Sequence, residues 1–124
     1  MTTERLLVSV VDDDESVRES LPDLLRELGY EAETFSSAEE FLTSGKIDRS
    51  KCLILDIAMP GMSGADLLRE LKRRRRDIPT VFITAQTDGT IRSRMIEEGA
   101  VDCLFKPFSD AALDEALKAA IGKK

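Results

Sequence analysis

Four short polar sites interrupt the apolar segments of this sequence: Asp12-Asp13-Asp14, Asp56, Thr84 and Lys106-Pro107. Taken singly, each reads as loop acids, a surface hydroxyl or a structural lysine, because short motifs have many bland occurrences. Brought together, they have chemistry. Carboxylates gathered in one place repel: at about 4 Å and an effective dielectric of 20, each pair costs roughly 4 kcal/mol. Protons or a cation must offset that cost. Mg²⁺ is the natural cation, since it binds through one or two carboxylates and keeps waters that a phosphate can replace. A lysine beside them supplies a second positive pole around one nucleophile. Such a site suits phosphoryl transfer, where catalysis is mostly positioning and charge stabilisation. A carboxylate can itself accept the group, forming an acyl phosphate. A threonine hydroxyl can then donate a hydrogen bond to a phosphoryl oxygen.

Whether these residues meet depends on the elements that carry them. Leu6 to Val11 is apolar except for Ser9, as in a strand buried on both faces. Glu15 to Leu28 repeats Val17, Leu21, Leu24, Leu25 and Leu28 at helical spacing, with Gly29 as a left-handed cap. Pro22 lies inside that helix, and a kink or local distortion is expected there. Glu31 to Phe35 reads as a strand, and Ser37-Ala38-Glu39-Glu40 as a capping box opening a short helix. Cys52 to Leu55 is a buried strand ending at Asp56. Ser63 caps the next helix, with Asp66 three residues on and Leu67, Leu68 and Leu71 as its inner stripe. Thr80 to Thr84 is a strand, Thr90 to Glu98 a polar helix closed by Gly99, Val101 to Phe105 a strand, and Asp110 to Ile121 a last helix.

Five strand-then-helix units predict an α/β fold, a parallel sheet between two layers of helices. Right-handed crossovers leave few topologies, and the ligand site of such folds lies beyond the carboxyl ends of the strands where strand order reverses. Asp12-Asp13-Asp14, Asp56, Thr84 and Lys106 all stand at those ends. The same bland residues therefore become one candidate site.

Composition bounds the function classes. A length of 124 residues suits a single domain over 1–124. The net charge of -6 argues against direct nucleic-acid binding and favours a site that attracts cations. No stretch is long and apolar enough for a membrane span, and no secretory leader is legible. Cys52 and Cys103 are read as reduced thiols of a cytoplasmic protein. The run Arg73-Arg74-Arg75-Arg76 is read as a helix C-terminus favoured by the helix dipole, not as a nucleic-acid patch. Met59 and Met62 are read as loop packing.

The sequence resembles the receiver domain of two-component response regulators, and within it the FixJ-like group. The resemblance covers about Leu6 to Ala120. It is carried by Val11-Asp12-Asp13-Asp14, by Leu55-Asp56-Ile57-Ala58-Met59-Pro60-Gly61-Met62-Ser63-Gly64, by Ile83-Thr84-Ala85, and by Gly99-Ala100-Val101-Asp102 with Lys106-Pro107-Phe108. It implies a flavodoxin-like (βα)5 doubly wound sheet in strand order 2-1-3-4-5. It makes Asp56 the phosphoacceptor, with Mg²⁺ (or Mn²⁺) held by Asp13, Asp56 and the backbone oxygen of Ala58, and by Asp12 through a water. Lys106 would bind the phosphoryl group, Thr84 would be the switch hydroxyl, and Lys106-Pro107 would be a cis peptide. The donor would be a sensor histidine kinase or phosphotransfer protein, and the output an attached or partner domain controlling transcription. The oligomeric state stays open between a monomer and a phosphorylation-dependent homodimer. The chain reads as a stand-alone receiver or, preferably, as the front of a longer regulator.

The sequence departs from the family pattern at one place. Receivers usually carry an aromatic residue three positions before the lysine, and here that residue is Cys103. Phe105, two residues on, shares its face by strand alternation. It either offers an apolar anchor on the surface of the fourth helix, fifth strand and fifth helix, or packs against helix stems. Ala58 and Gln86 flank the site and are expected to affect the lifetime of the phosphoryl group. The main reading is a switch that phosphorylates itself and turns over no metabolite, hence not an enzyme. The alternative is a pseudo-receiver, the same fold used as a phosphorylation-independent interaction module. An aspartate-based phosphohydrolase wants a second acid where Ala58 stands, and a dinucleotide binder wants a glycine-rich loop after the first strand.

Overall fold

The computed structural model describes residues 5–86 and 88–122. Strands β1 (Leu7–Val11), β2 (Glu31–Phe35), β3 (Ser50–Asp56), β4 (Thr80–Thr84) and β5 (Asp102–Phe105) alternate with helices α1 (Glu15–Glu27), α2 (Ala38–Leu42), α3 (Gly64–Arg73), α4 (Ile91–Glu97) and α5 (Asp110–Ile121). The strands form one sheet in the order β2-β1-β3-β4-β5, and every neighbouring pair is parallel. The expected fold class and strand order are therefore those found. Strand order reverses between β1 and β3, which puts Asp12 and Asp56 side by side at the carboxyl end of the sheet.

Alternation along the strands builds two cores. Val11, Leu53, Leu55, Phe82 and Cys103 face one side with Phe41, Leu67, Leu71 and Met95. Val8, Val10, Cys52, Ile54, Val81 and Ile83 face the other with Leu21, Leu25, Leu113 and Leu117. All residues of β1 and β4 are buried, which is why these strands read as continuous apolar runs and not as alternating ones. Cys52 and Cys103 are free and buried, and burial pushes the Cys52 thiol up to about 12.

Local signals account for most helix ends. Ser63 and Asp66 make the full capping box at α3. Ser109 caps α5, and Gly122 closes it in the left-handed region at φ 70°. The box expected at α2 is only half formed: Ser37 accepts from the Glu40 amide, but the Glu40 carboxylate accepts from the amide and hydroxyl of Ser36. This short helix is anchored by Ala38 and Phe41, both fully buried, and the Phe41 ring packs edge-on against Phe35 at 5.3 Å. α1 runs unbroken through Pro22, which is buried. Thr90 precedes α4 without a side-chain cap.

The arginine run ends α3 as expected and is neutralised locally. Arg73 and Arg74 both pair with Glu70, and Arg76 pairs with Asp48. That pairing fits a solvated helix end and leaves no bare cationic stripe at these three positions.

Candidate functional site

The site is assembled by the ends of β1, β3, β4 and β5. β1 delivers Asp12 and Asp13, and Asp14 turns away to cap α1 by accepting from the Ser16 amide and hydroxyl. Asp12 is fully buried, Asp56 is 6% exposed, and Asp13 lies on the surface. One carboxylate oxygen from each of Asp12, Asp13 and Asp56 lies within 4.8 Å of the others. The three acids that the sequence placed at neighbouring strand ends therefore do converge.

Lys106 reaches them from the end of β5. Its Nζ is 2.9 Å from Asp12 Oδ2 and 3.7 Å from Asp56 Oδ1. Burial alone would lower the ammonium, but the bond to Asp12 and the charges of Asp12, Asp56 and Asp14 together raise it. The Lys106 amide also donates to the Thr84 carbonyl at 2.7 Å, and the Lys106-Pro107 peptide is cis. Three acids against one ammonium leave an excess of negative charge around hard oxygen donors. Such a donor set fits a divalent cation of the Mg²⁺ kind.

The protonation of Asp56 reflects that excess. Burial, then the neighbouring Asp12 carboxylate, push its carboxyl from 3.8 up to about 7, with Lys106 acting against the shift. The folded protein thus keeps a proton at Asp56 that the unfolded chain releases at lower pH. Stability from this group is full below the unfolded value and is lost as pH rises through the folded one. In metal-free buffer the melting temperature is expected to fall between about pH 5 and about pH 8, and Asp56→Asn to flatten that slope. Glu70 works in the opposite sense, because its bonds to Arg73 and Arg74 hold it down at about 2, but its window lies at lower pH. Thermal melts in chelator decide the matter: a flat profile for the parent protein would show that Asp56 ionises normally.

Thr84 is 1% exposed, and its Oγ1 accepts from the Gln86 amide at 3.0 Å. This bond uses a lone pair and leaves the hydroxyl proton available to donate. Gln86 and Ala58 are exposed beside the site. Thr84 pairs in register with Phe105, whereas Cys103 pairs with Phe82 one layer below. Cys103 is buried in the core cluster, and Phe105 is partly buried against that same cluster. The residue alongside the threonine is therefore the aromatic one.

Two contributors escaped the sequence reading. Arg18 donates from α1 to the Asp12 carbonyl at 2.9 Å, tying down the loop that carries Asp12 and Asp13. Glu39 accepts from the Met62 amide at 3.2 Å, tying α2 to the loop after Asp56. Arg18 had a local signal, standing one turn into the helix that follows the acidic run. Glu39 had none.

A five-stranded parallel sheet with three carboxylates and a lysine converging at its switch point defines the receiver class. Residues 8–118 match the family described as the response regulator receiver domain, and the chain belongs to that family. It is similar to nodulation protein W of Bradyrhizobium diazoefficiens, with 45% identity over 116 residues that make up 94% of this chain and 51% of that protein. It is also similar to the transcriptional regulatory protein FixJ of Azorhizobium caulinodans, with 40% identity over 121 residues, 97% of this chain and 57% of that protein. Among solved structures, that of FixJ-N superimposes with a TM-score of 0.85 at 35% identity, covering 98% of both chains. The chain spans about half the length of the curated relatives it matches. It is thus a receiver domain of two-component signalling. Among the described residues, no helix is long and apolar enough to cross a membrane.

Proposed function

We propose that this receiver is an active phosphorylation switch with Asp56 as its acceptor. The observation that carries the reading is the convergence of Asp12, Asp13 and Asp56 with Lys106 Nζ 2.9 Å from Asp12. Asp13, Asp56 and the Ala58 carbonyl would hold Mg²⁺, with Asp12 assisting. Bound there, such a cation would offset charge on the acids and on the phosphoryl oxygens. An ionised Asp56 oxygen attacks the phosphorus of a phosphohistidine on a sensor kinase or phosphotransfer protein. The P–N bond breaks, and its electron pair stays with the imidazole. Lys106 moves from the acids to the incoming phosphoryl oxygens, and the Thr84 hydroxyl donates to one of them. The protein turns over no metabolite.

Phosphorylation adds charge and acceptor oxygens at the end of the sheet. Motion of Thr84 is passed to Phe105, its neighbour on β5, and so to the surface of α4, β5 and α5. The output is transcriptional, through an attached or partner domain in the cytoplasm, and dimerisation of this domain is one way to deliver it. The convergence of the acids with Lys106 supports this reading over the pseudo-receiver.

The test is intact mass after incubation with a small acyl phosphate and Mg²⁺. The expected result is a gain of one phosphoryl group, absent in Asp56→Asn and absent without metal. Folded protein that binds Mg²⁺ yet gains no mass would establish the pseudo-receiver instead.

A further inference from the structure

The loop between β3 and α3 carries Ala58 and must hold its shape for the proposed metal site to exist. Most of its restraints come from its own flanks or from the strand beside it. The Ile57 amide donates to the Ile83 carbonyl at 3.2 Å, and the Gly64 amide to the Ile57 carbonyl at 2.9 Å. The Ser63 amide donates to Asp66 at 3.3 Å, and Met59 is buried in the core. Glu39 is different. It is a side chain from α2, twenty-three positions earlier, and its Oε2 takes the Met62 amide at 3.2 Å. Gly61 makes room for it: a Cβ built there would lie 3.1 Å from the same oxygen, and the backbone has φ 75°. The helix behind Glu39 is pinned by Ala38 and Phe41, so the carboxylate has a rigid base.

We infer that Glu39 is a positioning residue of the phosphorylation site, acting through its hydrogen bond to Met62 to hold the loop that carries Ala58. This rests on the proposed function. Outer ties of this sort orient ligands that touch the metal, and their loss weakens binding even though they never touch it. What matters is an acceptor oxygen at this position, not a negative charge. Glutamine keeps that oxygen, and alanine does not.

The experiment compares the parent protein with Glu39→Ala and Glu39→Gln in the full chain. Mg²⁺ alone is titrated by calorimetry, the Met62 amide is followed by hydrogen exchange, and phosphorylation from a small acyl phosphate is timed across Mg²⁺ concentrations. Glu39→Ala is expected to bind Mg²⁺ about tenfold more weakly, the low end for such ties because Glu39 is exposed. Its Met62 amide should exchange faster. Its phosphorylation should be slow at limiting Mg²⁺ and near the parent rate at saturation. Glu39→Gln should behave like the parent. Parent-like Mg²⁺ affinity in Glu39→Ala would overturn the inference, and so would a Glu39→Gln variant as weak as Glu39→Ala, since charge would then be the cause. Failure of the proposed function is separable, because the parent protein itself would then take up no phosphoryl group.

Discussion

Replacing Gly64 by alanine is expected to lower the unfolding free energy by about 2–3 kcal/mol, an overpacking cost at a site that cannot relax cheaply. Gly64 opens α3 directly over the end of β3. A Cβ there would lie 2.3 Å from the Asp56 carbonyl oxygen and 3.0 Å from the Phe82 ring. Ordinary carbon–oxygen contacts are roughly 1 Å longer. The neighbours are main chain of a central strand and a fully buried ring, so neither yields like the tip of a flexible side chain. Alanine gains roughly 1 kcal/mol over glycine in helical propensity, which is too little to offset the clash. The least costly response moves the start of α3, which shifts the loop after Asp56, or the end of β3, which displaces Asp56 from Asp12 and Asp13. Mg²⁺ affinity should therefore fall together with stability. Gly89 provides the control, because a Cβ there meets nothing within 4 Å and its φ is ordinary. Urea unfolding at constant m-value measures both variants. A Gly64→Ala protein as stable as Gly89→Ala would show that the β3–α3 junction is soft.

The contrast between Gly64 and Asp56 shows what a sequence of this kind reveals. Asp12, Asp56 and Lys106 were legible although Asp12 and Lys106 are 94 positions apart. Each follows or ends a strand, largely buried in β1 and β3 and partly buried in β5, and a parallel doubly wound sheet brings strand ends together whatever the loops do. The elements were legible for a related reason: strands buried on both faces read as unbroken apolar runs, and the helices between them carry the 3.6 period. Loop geometry follows no such rule. That Glu39 meets the Met62 amide, or that Glu40 turns to Ser36 and not to Ser37, depends on how two irregular segments pass each other. Composition does not encode that approach. Cys103 lies between these cases. Its departure from the family pattern was visible, but only the register of β4 and β5 shows that Phe105, and not Cys103, lies beside Thr84.

Lys106→Met is expected to cost about 3 kcal/mol in metal-free solution, the range found when one partner of a buried ion pair is removed. Methionine keeps most of the apolar stem, so the loss reports the charge. Asp12 is fully buried and would keep the Asp14 amide as a donor to its carboxylate, at 2.9 Å, but lose the ammonium. Asp56 would lose the Lys106 charge that acts against its upward shift, and its carboxyl would rise further. Two consequences of opposite sign follow for Mg²⁺. The ammonium no longer competes for the acids, which strengthens metal binding. The proton on Asp56 is held more tightly, which weakens it near neutral pH. Raising the pH removes the second effect and leaves the first. At a pH high enough to ionise Asp56 in both proteins, Mg²⁺ should therefore stabilise Lys106→Met more than it stabilises the parent, in proportion to the logarithm of its tighter binding. Urea unfolding with chelator and with saturating Mg²⁺ at the two pH values measures all of this. If the metal-free loss is below about 1 kcal/mol, the cost typical of an exposed pair, then the Lys106–Asp12 pair contributes to the fold no more than a surface ion pair does. A metal-dependent gain equal to that of the parent would show that lysine and cation occupy separate places. The ammonium would not then need to leave the acids before a phosphoryl group arrives.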